Sequence, residues 1–205
     1  LPLDTVLARD FPWLVPVGDG LAELCEAYIA TKQRQALLDY DDLLLWWAEM
    51  LGEPALAAEV GGRFDFVLVD EFQDTNPLQA RILRRLKPDG RGVAVIGDDA
   101  EAIFAFRGAT VRNILDFPSG CEPPAAIVTL EENHRSTQPI LDLANAVLRQ
   151  STQGYRKALR CSRMSRQRPW LVVARDEAAQ AAYVAEQVIA TREAGVPLRE
   201  QAVLA

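Results

Sequence analysis

The order of apolar segments along the 205 residues predicts an α/β fold built on parallel sheets. Two short runs, 64–70 and 93–97, are almost wholly apolar, which is typical of strands buried on both faces of a parallel sheet. Segments with helical spacing separate the predicted strands, and no Asn-Gly hairpin signal lies between them. This order favours right-handed βαβ units.

Five helices and five strands are predicted after an irregular start over residues 1–18. The helices are expected over residues 21–38, 43–51, 77–86, 137–148 and 176–194. The strands are expected over residues 64–70, 93–97, 127–130, 170–174 and 202–205. The Pro/Gly-rich stretch 118–124 is the best candidate for a boundary between a first α/β domain and a second, incomplete one.

Local signals predict where two of these helices begin. The acidic stretch 39–42 can cap the helix that follows it and suits the positive end of that helix. Asn76-Pro77 opens a later helix with proline at the first helical position, where its missing N–H costs nothing.

Helical spacing also predicts which side chains face the core. The expected inner faces are Leu43, Leu44, Trp47 and Leu51 in the second helix, Leu78, Ile82 and Leu86 in the third, and Ile140, Ala144, Val147 and Leu148 in the fourth. Trp46 and Trp47 are interpreted as core residues in preference to residues that stack on a ligand.

Composition excludes several classes of protein. No apolar run reaches the roughly 18–20 residues that a membrane span needs. Three distant cysteines without CxxC spacing are typical of reduced thiols in a cytoplasmic protein, and a single histidine excludes a His-based metal cluster. The net charge of −7 argues against bulk electrostatic binding of nucleic acid, so any DNA contact must be local and use stacking as well as charge.

Two adjacent acids, Asp70 and Glu71, follow the first predicted strand. Ligands of open α/β sheets bind at the carboxyl ends of the strands. There Asp70 can hold Mg²⁺ together with phosphate oxygens, and Glu71 can polarise a water that attacks a terminal phosphate. The alternative for an isolated Asp-Glu pair is a cap of the following turn. The longer string over residues 70–76, DEFQDTN, is more specific than such a pair.

Three strings occur in the order found in one helicase family. DEFQDTN at 70–76 resembles motif II of the UvrD, Rep and PcrA helicases of superfamily 1, GDDAEAIFAFRGA at 97–109 resembles motif III, and LEENHRST at 130–137 resembles motif IV. The acidic stretch 39–42 also resembles the entry to the helix that precedes motif II. The similarity covers roughly residues 20–205.

The resemblance implies RecA-like, P-loop NTPase parallel sheets with flanking helices, in two incomplete domains with ATP between them. Residues 1–120 would be the C-terminal part of the first motor domain, with a helical insertion remnant at its start, and residues 125–205 the N-terminal part of the second. It also implies that Asp70 binds the magnesium ion, that Glu71 is the catalytic base, and that Arg135 reaches across the cleft to the γ-phosphate.

Five further roles follow from the resemblance, and alternatives stay open for each. His134 stands where the family has a Tyr that stacks on adenine, and either stacking or simple packing is possible. Glu101 replaces a Gln that contacts the γ-phosphate, and it can act there or face solvent. Phe104, Phe106 and Arg107 match the part of motif III that lines the single-stranded DNA path, although both rings could instead be core. Arg107 can pair with a phosphate or bridge to the ATP site. The basic run formed by Arg160, Arg163, Arg166 and Arg168 is interpreted as a solvated loop in preference to a phosphate contact.

No phosphate loop of the pattern GxxxxGK[ST] occurs in the chain. The expectation is therefore a fragment of an ATP-dependent, 3′-to-5′ DNA helicase that acts in repair or recombination, alongside possible repair or nuclease partner proteins. Two alternatives stay open: a degenerate motor domain that binds DNA or a partner without hydrolysis, and an unrelated metal-dependent hydrolase. Only the sequence that flanks this segment would discriminate between the helicase fragment and the degenerate motor domain.

Overall fold

The computed structural model describes residues 2–163 and 165–204. They form two compact units, the first made of Leu1–Thr129 with Gln153–Arg156, and the second of Leu130–Thr152 with Lys157–Ala205. None of the helices among the described residues combines the length and the apolar character needed to cross a bilayer.

The first unit contains six α-helices and two strands among its described residues. The helices are α1 (Leu3–Asp10), α2 (Gly18–Gln35), α3 (Tyr40–Met50), α4 (Pro54–Gly61), α5 (Pro77–Leu86) and α6 (Arg112–Asp116). The strands are β1 (Val67–Val69) and β2 (Val93–Val95), which pair in parallel with Leu68 opposite Ala94. Because α5 connects them, the two strands form the βαβ unit that the sequence predicts.

The predicted helix starts at Asp39 and Asn76 are confirmed as caps. The Asp39 carboxylate accepts a hydrogen bond from Asp42 N at 2.8 Å, and the Asn76 side chain accepts one from Gln79 N at 2.9 Å. In both cases the third helical residue also bonds back to the cap, which satisfies two backbone donors that the helix leaves unpaired.

Lys32 of α2 fixes the start of α3 through two carboxylates. Its Nζ lies 2.7 Å from Asp39 Oδ2 and 2.6 Å from Asp42 Oδ2, and its side chain is 15% exposed. Hydrogen bonding to Lys32 holds the pKa of Asp39 well below its usual value, and hydrogen bonding to Asp39 and then Asp42 raises the pKa of Lys32. The Tyr28 hydroxyl also donates to Asp39 Oδ2, at 2.8 Å.

Helix α5 holds the first unit together because its two sides face different apolar clusters. One side packs on α3, and the other packs beneath β1 and β2 and against α6. The first cluster consists of Ala48, Leu51, Ile82 and Leu86, and the second of Phe72, Ala80, Leu83 and Ile114. The second cluster therefore lies directly under the turn that follows β1.

The second unit has two α-helices among its described residues, α7 (Gln138–Leu148) and α8 (Glu177–Glu193). Both helices were predicted from the sequence, and Asp176 caps α8 by accepting from Ala179 N at 2.7 Å. The unit also contains one parallel bridge, between Glu132 and Arg160.

Three of the five predicted strands are wrong for the described residues. Residues 127–130, 170–174 and 202–204 form no ladder, and residue 205 lies outside the described part of the chain. Their apolar side chains are largely exposed, for example Val128 at 80% and Leu171 at 93%. A strand needs a hydrogen-bonding neighbour, and an apolar run alone cannot supply one.

The two strands that do form are shorter than predicted and are covered on one face only. Val67 and Val69 point towards the second cluster, whereas Leu68 is 73% exposed. In the described part of the chain, this outer face of the sheet is open to solvent. The prediction of a strand buried on both faces is therefore wrong for these residues.

Several predictions about the helices also need correction. The start of the chain, expected to be irregular, forms α1 and a 3₁₀ helix at Pro12–Val17. Trp46 and Trp47 are 63% and 44% exposed, so they are not core residues. Leu44 and Leu51 do lie in the first cluster with Ala48, as predicted for the two leucines, whereas Leu43 is 51% exposed. In α7 the buried residue is Leu141, while Ile140 and Val147 are largely exposed.

Candidate functional site

Asp70 and Glu71 lie at the carboxyl end of β1, and both are exposed. Glu71 has φ 51° and ψ 43°, a left-handed conformation that is rare for a residue with a Cβ. Its N–H donates to Asp70 Oδ1 at 3.0 Å, and Phe72 N then donates to Ile96 O at 2.9 Å. The sharp turn therefore presents two carboxylates at the edge of the sheet where ligands of α/β proteins bind.

The loop after β2 carries the second group of predicted residues. Asp98 accepts a hydrogen bond from Ala100 N at 2.8 Å and so caps the 3₁₀ turn Asp99–Glu101. Glu101 ends this turn and is exposed. Because β1 and β2 are neighbours in the sheet, this loop starts beside the turn that carries Asp70 and Glu71.

Gln73 joins these two loops, and sequence reasoning did not identify it as a functional residue. Its Nε2 donates to Glu71 Oε2 at 2.7 Å, and its Oε1 accepts from Asp98 N at 3.0 Å. The side chain is only 1% exposed. Glutamine is usually a surface residue, so no local signal in the sequence predicts this burial.

Phe104, Phe106 and Arg107 form one cluster farther along the same loop. The two ring centroids are 5.7 Å apart, and the Arg107 guanidinium carbon lies 5.2 Å from the centroid of Phe104 and 5.5 Å from that of Phe106. Phe106 is 78% exposed, whereas Phe104 is half-buried. An exposed ring beside a cation is an arrangement that can stack on a base and approach a phosphate.

The carboxylates at this edge of the sheet fit one mode of magnesium binding. Within residues 2–163 and 165–204, no three His, Cys, Asp or Glu side chains converge on a common point. Mg²⁺ does not need such a cage, because it is commonly held by one or two carboxylates together with substrate phosphates and water. The exposed carboxylate of Asp70 fits that mode of binding.

His134 and Arg135 lie in the second unit, and both are exposed. Asn133 shapes the backbone at this point, since its Oδ1 accepts from Arg135 N at 3.0 Å and from Ser136 N at 2.7 Å. Arg163 Nη1 donates to Arg135 O at 2.8 Å. Arg163, a member of the predicted basic run, therefore stabilises the loop that carries Arg135.

A neighbouring segment supports the same loop through Glu131 and Asn133. Arg160 N donates to Glu131 O at 2.9 Å, Asn133 N donates to Arg160 O at 2.7 Å, and Ala158 N donates to Glu131 Oε1 at 2.8 Å. Glu131 is thus engaged by the backbone of this segment. The structure brings Asp70, Glu71 and the Glu101 loop together in the first unit and supports His134 and Arg135 in the second.

Two family models match consecutive parts of the chain. Residues 16–122 match the UvrD/REP helicase N-terminal domain, and residues 128–205 match the UvrD-like helicase C-terminal domain. The first match contains Asp70, Glu71, Glu101 and the aromatic cluster, and the second contains His134 and Arg135.

Several bacterial helicases are similar to this chain over most of its length. ATP-dependent DNA helicase UvrD2 of Mycobacterium bovis is 37% identical over 191 residues, which are 90% of this chain and 27% of that protein. DNA helicase II of Escherichia coli is 34% identical over 190 residues, 92% of this chain and 26% of the relative. ATP-dependent DNA helicase PcrA of Leuconostoc citreum is 38% identical over 142 residues, 69% of this chain and 19% of the relative.

The chain thus spans about a quarter of the length of the relatives that it matches. The two family models, taken together, cover nearly all of the sequence, and the three strings that resemble motifs II, III and IV lie within them. The chain belongs to the UvrD-like family of DNA helicases.

Proposed function

We propose that this chain is part of the motor of an ATP-dependent DNA helicase that moves 3′ to 5′ along single-stranded DNA in repair or recombination. The observation that carries the proposal is the pair of exposed carboxylates, Asp70 and Glu71, at the carboxyl edge of two parallel strands. The relatives are ATP-dependent DNA helicases by name, which supports ATP and DNA as the ligands.

Each residue of the site has a distinct chemical task in this proposal. Asp70 holds Mg²⁺, which supplies positive charge to the phosphate oxygens when it is bound. Glu71 accepts a proton from the water that attacks the γ-phosphate. Arg135 stabilises the charge that develops on the transferred phosphoryl group, and His134 packs against the adenine.

DNA binding is assigned to the Phe104, Phe106 and Arg107 cluster. The face of a nucleobase can stack on the exposed Phe106 ring whatever its sequence, and Arg107 adds a positive charge for the backbone. Such a contact is local, so it is compatible with the net charge of −7 on the whole chain.

The domain assignment is part of the same proposal. Residues 1–120 would belong to a first RecA-like domain and residues 125–205 to a second, both completed by other parts of a longer cytoplasmic protein. The share of the relatives that the chain spans, about a quarter, supports a longer parent.

The decisive experiment uses that longer protein with Glu71→Gln. The amide keeps the shape of the side chain but cannot accept the proton, so we expect DNA-stimulated kcat to fall by about 100-fold or more while KM for ATP changes by less than about threefold. Glu59→Gln is the matched control, because Glu59 is an exposed glutamate of the same unit, on α4, and forms an ion pair with Arg63. Unchanged turnover in Glu71→Gln would contradict the proposal.

A second function is favoured by Glu101, which replaces the amide expected from the family pattern. An ionised carboxylate offers only acceptors and repels a triphosphate. A motor domain that binds DNA or a partner without hydrolysis would accommodate this change. Absence of DNA-stimulated ATP turnover in the unmodified longer protein, together with retained DNA binding, would favour this second function.

A further inference from the structure

Gln73 is the most deeply buried polar side chain among the described residues, at 1% exposure. It belongs to the 3₁₀ turn Phe72–Asp74 that follows β1. A buried amide is costly unless its oxygen and nitrogen both find partners. Both atoms of Gln73 have partners, so the residue is held in a single orientation.

The two partners belong to different loops. Through Nε2 the amide holds the Glu71 carboxylate, and through Oε1 it holds the backbone N–H of Asp98. Asp98 is the first residue of the loop that leads to Glu101 and then to Phe104 and Phe106. A single side chain thus connects the proposed catalytic base with the segment that carries the proposed DNA contacts.

Close packing around Gly97 surrounds the Oε1 end of the Gln73 amide, whereas the Nε2 end is held by the hydrogen bond to Glu71. A Cβ at Gly97 would overlap Gln73 Oε1, and it would also lie 2.9 Å from Ile114 Cδ1. The backbone therefore approaches the amide as closely as only glycine permits. The hydrogen bond from Phe72 N to Ile96 O joins the same two segments beside the amide.

We propose that Gln73 is a positioning residue that orients the Glu71 carboxylate and couples its position to the loop beginning at Asp98. The inference rests on the proposed function for its consequence in catalysis, but the link itself is a property of this chain. The amide donates to Oε2 of Glu71 and, because that side chain is exposed, the other carboxylate oxygen stays accessible to a water molecule. Movement of Glu71 then changes the hydrogen bond to Asp98 N through the same amide.

The first arm of the test measures this link in the 205-residue chain, by amide hydrogen exchange at Asp98. Glu71→Ala should accelerate exchange of the Asp98 N–H by about threefold or more, because the freed amide of Gln73 no longer holds that donor. In a Gln73→Met background the same Glu71→Ala change should have no effect. Gln33→Met, at an exposed glutamine of α2, is the matched control.

The second arm measures the effect of the Gln73 contact with Glu71 on catalysis in the longer protein. Gln73→Glu places a carboxylate against Glu71 in place of the amide donor, so kcat should fall by about tenfold or more while KM for ATP changes by less than about threefold. A purely structural role for Gln73 predicts instead that kcat follows the loss of folded protein.

The two arms fail independently of each other. If Glu71→Ala leaves Asp98 exchange unchanged, or accelerates it equally in the Gln73→Met background, the proposed link is wrong. If Gln73→Glu turns over ATP as fast as the unmodified protein, the positioning role is wrong. Absence of DNA-stimulated turnover in the unmodified longer protein would refute the proposed function, and the exchange measurement would still decide the link.

Discussion

Replacement of Phe106 by alanine should weaken DNA binding much more than it weakens the fold. The ring is 78% exposed, so only about a fifth of its roughly 200 Å² leaves water on folding. At about 25 cal/mol per Å² that area contributes about 1 kcal/mol, and the contact with Arg107 adds about 0.5 kcal/mol at an exposed position. The free energy of unfolding should therefore fall by no more than about 1.5 kcal/mol.

Phe72 provides the matched comparison, because it is the same residue type in the same unit and is 2% exposed. Its ring packs edge-on against Phe117, with centroids 5.4 Å apart. Phe72→Ala should cost about 3–5 kcal/mol of stability through the lost burial and the cavity left behind. The two variants should therefore separate clearly in urea titrations.

The binding assay is the titration of a fluorescent single-stranded oligonucleotide with the longer protein. A lost base stack is worth about 1–3 kcal/mol, so Phe106→Ala should raise Kd by roughly 5- to 150-fold. The salt dependence of Kd should stay unchanged in Phe106→Ala but weaken in Arg107→Gln, since only the arginine displaces a counterion. A large loss of stability with unchanged Kd for the folded fraction would show that Phe106 is a packing residue and not a stacking platform.

Three other predictions address catalysis and pH. Glu101→Gln in the longer protein should raise DNA-stimulated ATPase, because an amide can donate to a phosphate oxygen; a fall in turnover would show that the carboxylate itself has a positive role. The 205-residue chain alone should not hydrolyse ATP at a useful rate, and turnover that Glu71→Gln abolishes would contradict this expectation. Lys32→Met should reduce the free energy of unfolding in urea most strongly between about pH 5 and pH 9. The lowered pKa of Asp39 contributes stability above about pH 4 that is lost as pH falls, and the raised pKa of Lys32 contributes stability below about pH 10 that is lost as pH rises. We expect the difference in the free energy of unfolding between Lys32→Met and the unmodified chain to shrink below about pH 4. A difference that stayed constant from pH 2 to about pH 9 would argue against the ion pair.

Local signals in the sequence were sufficient for the elements that position the site. Asp39 and Asn76 form the predicted caps because a cap depends only on residues three positions apart. The βαβ order around α5 was likewise predicted, since short apolar runs and helical spacing are both local patterns.

Burial could not be predicted in the same way, because it depends on neighbours distant in sequence. Leu68 belongs to an apolar run and is 73% exposed, whereas Gln73 is polar and almost fully buried. The apolar run at 170–174 pairs with no strand in the described chain, and Trp46 lies on a side of α3 that α5 does not cover. Each of these outcomes is decided by which surfaces meet, and no single segment encodes that information.

Site residues show the same division between local and distant information. The strings around Asp70 and Arg135 identify candidate catalytic residues, and the roles of these residues remain predictions. The hydrogen bond from Asp98 N to Gln73 Oε1 joins residues 25 positions apart, and the one from Arg163 Nη1 to Arg135 O joins residues 28 positions apart. Long-range bonds of this kind leave no periodic pattern in the sequence.

The left-handed backbone at two residues sets a limit on how this protein can be stabilised. Ala36 and Glu71 both have φ 51°, where a Cβ costs about 1 kcal/mol relative to glycine. At Ala36, the C-cap of α2, replacement by glycine should raise the free energy of unfolding in urea by about that amount, and a loss would show that the cap depends on the methyl group. At Glu71 the same exchange relieves the same strain but removes the carboxylate and leaves the Gln73 amide without its acceptor. Because an unpaired buried amide costs about 1–3 kcal/mol, at least as much as the strain relieved, glycine should stabilise the protein at position 36 but not at position 71.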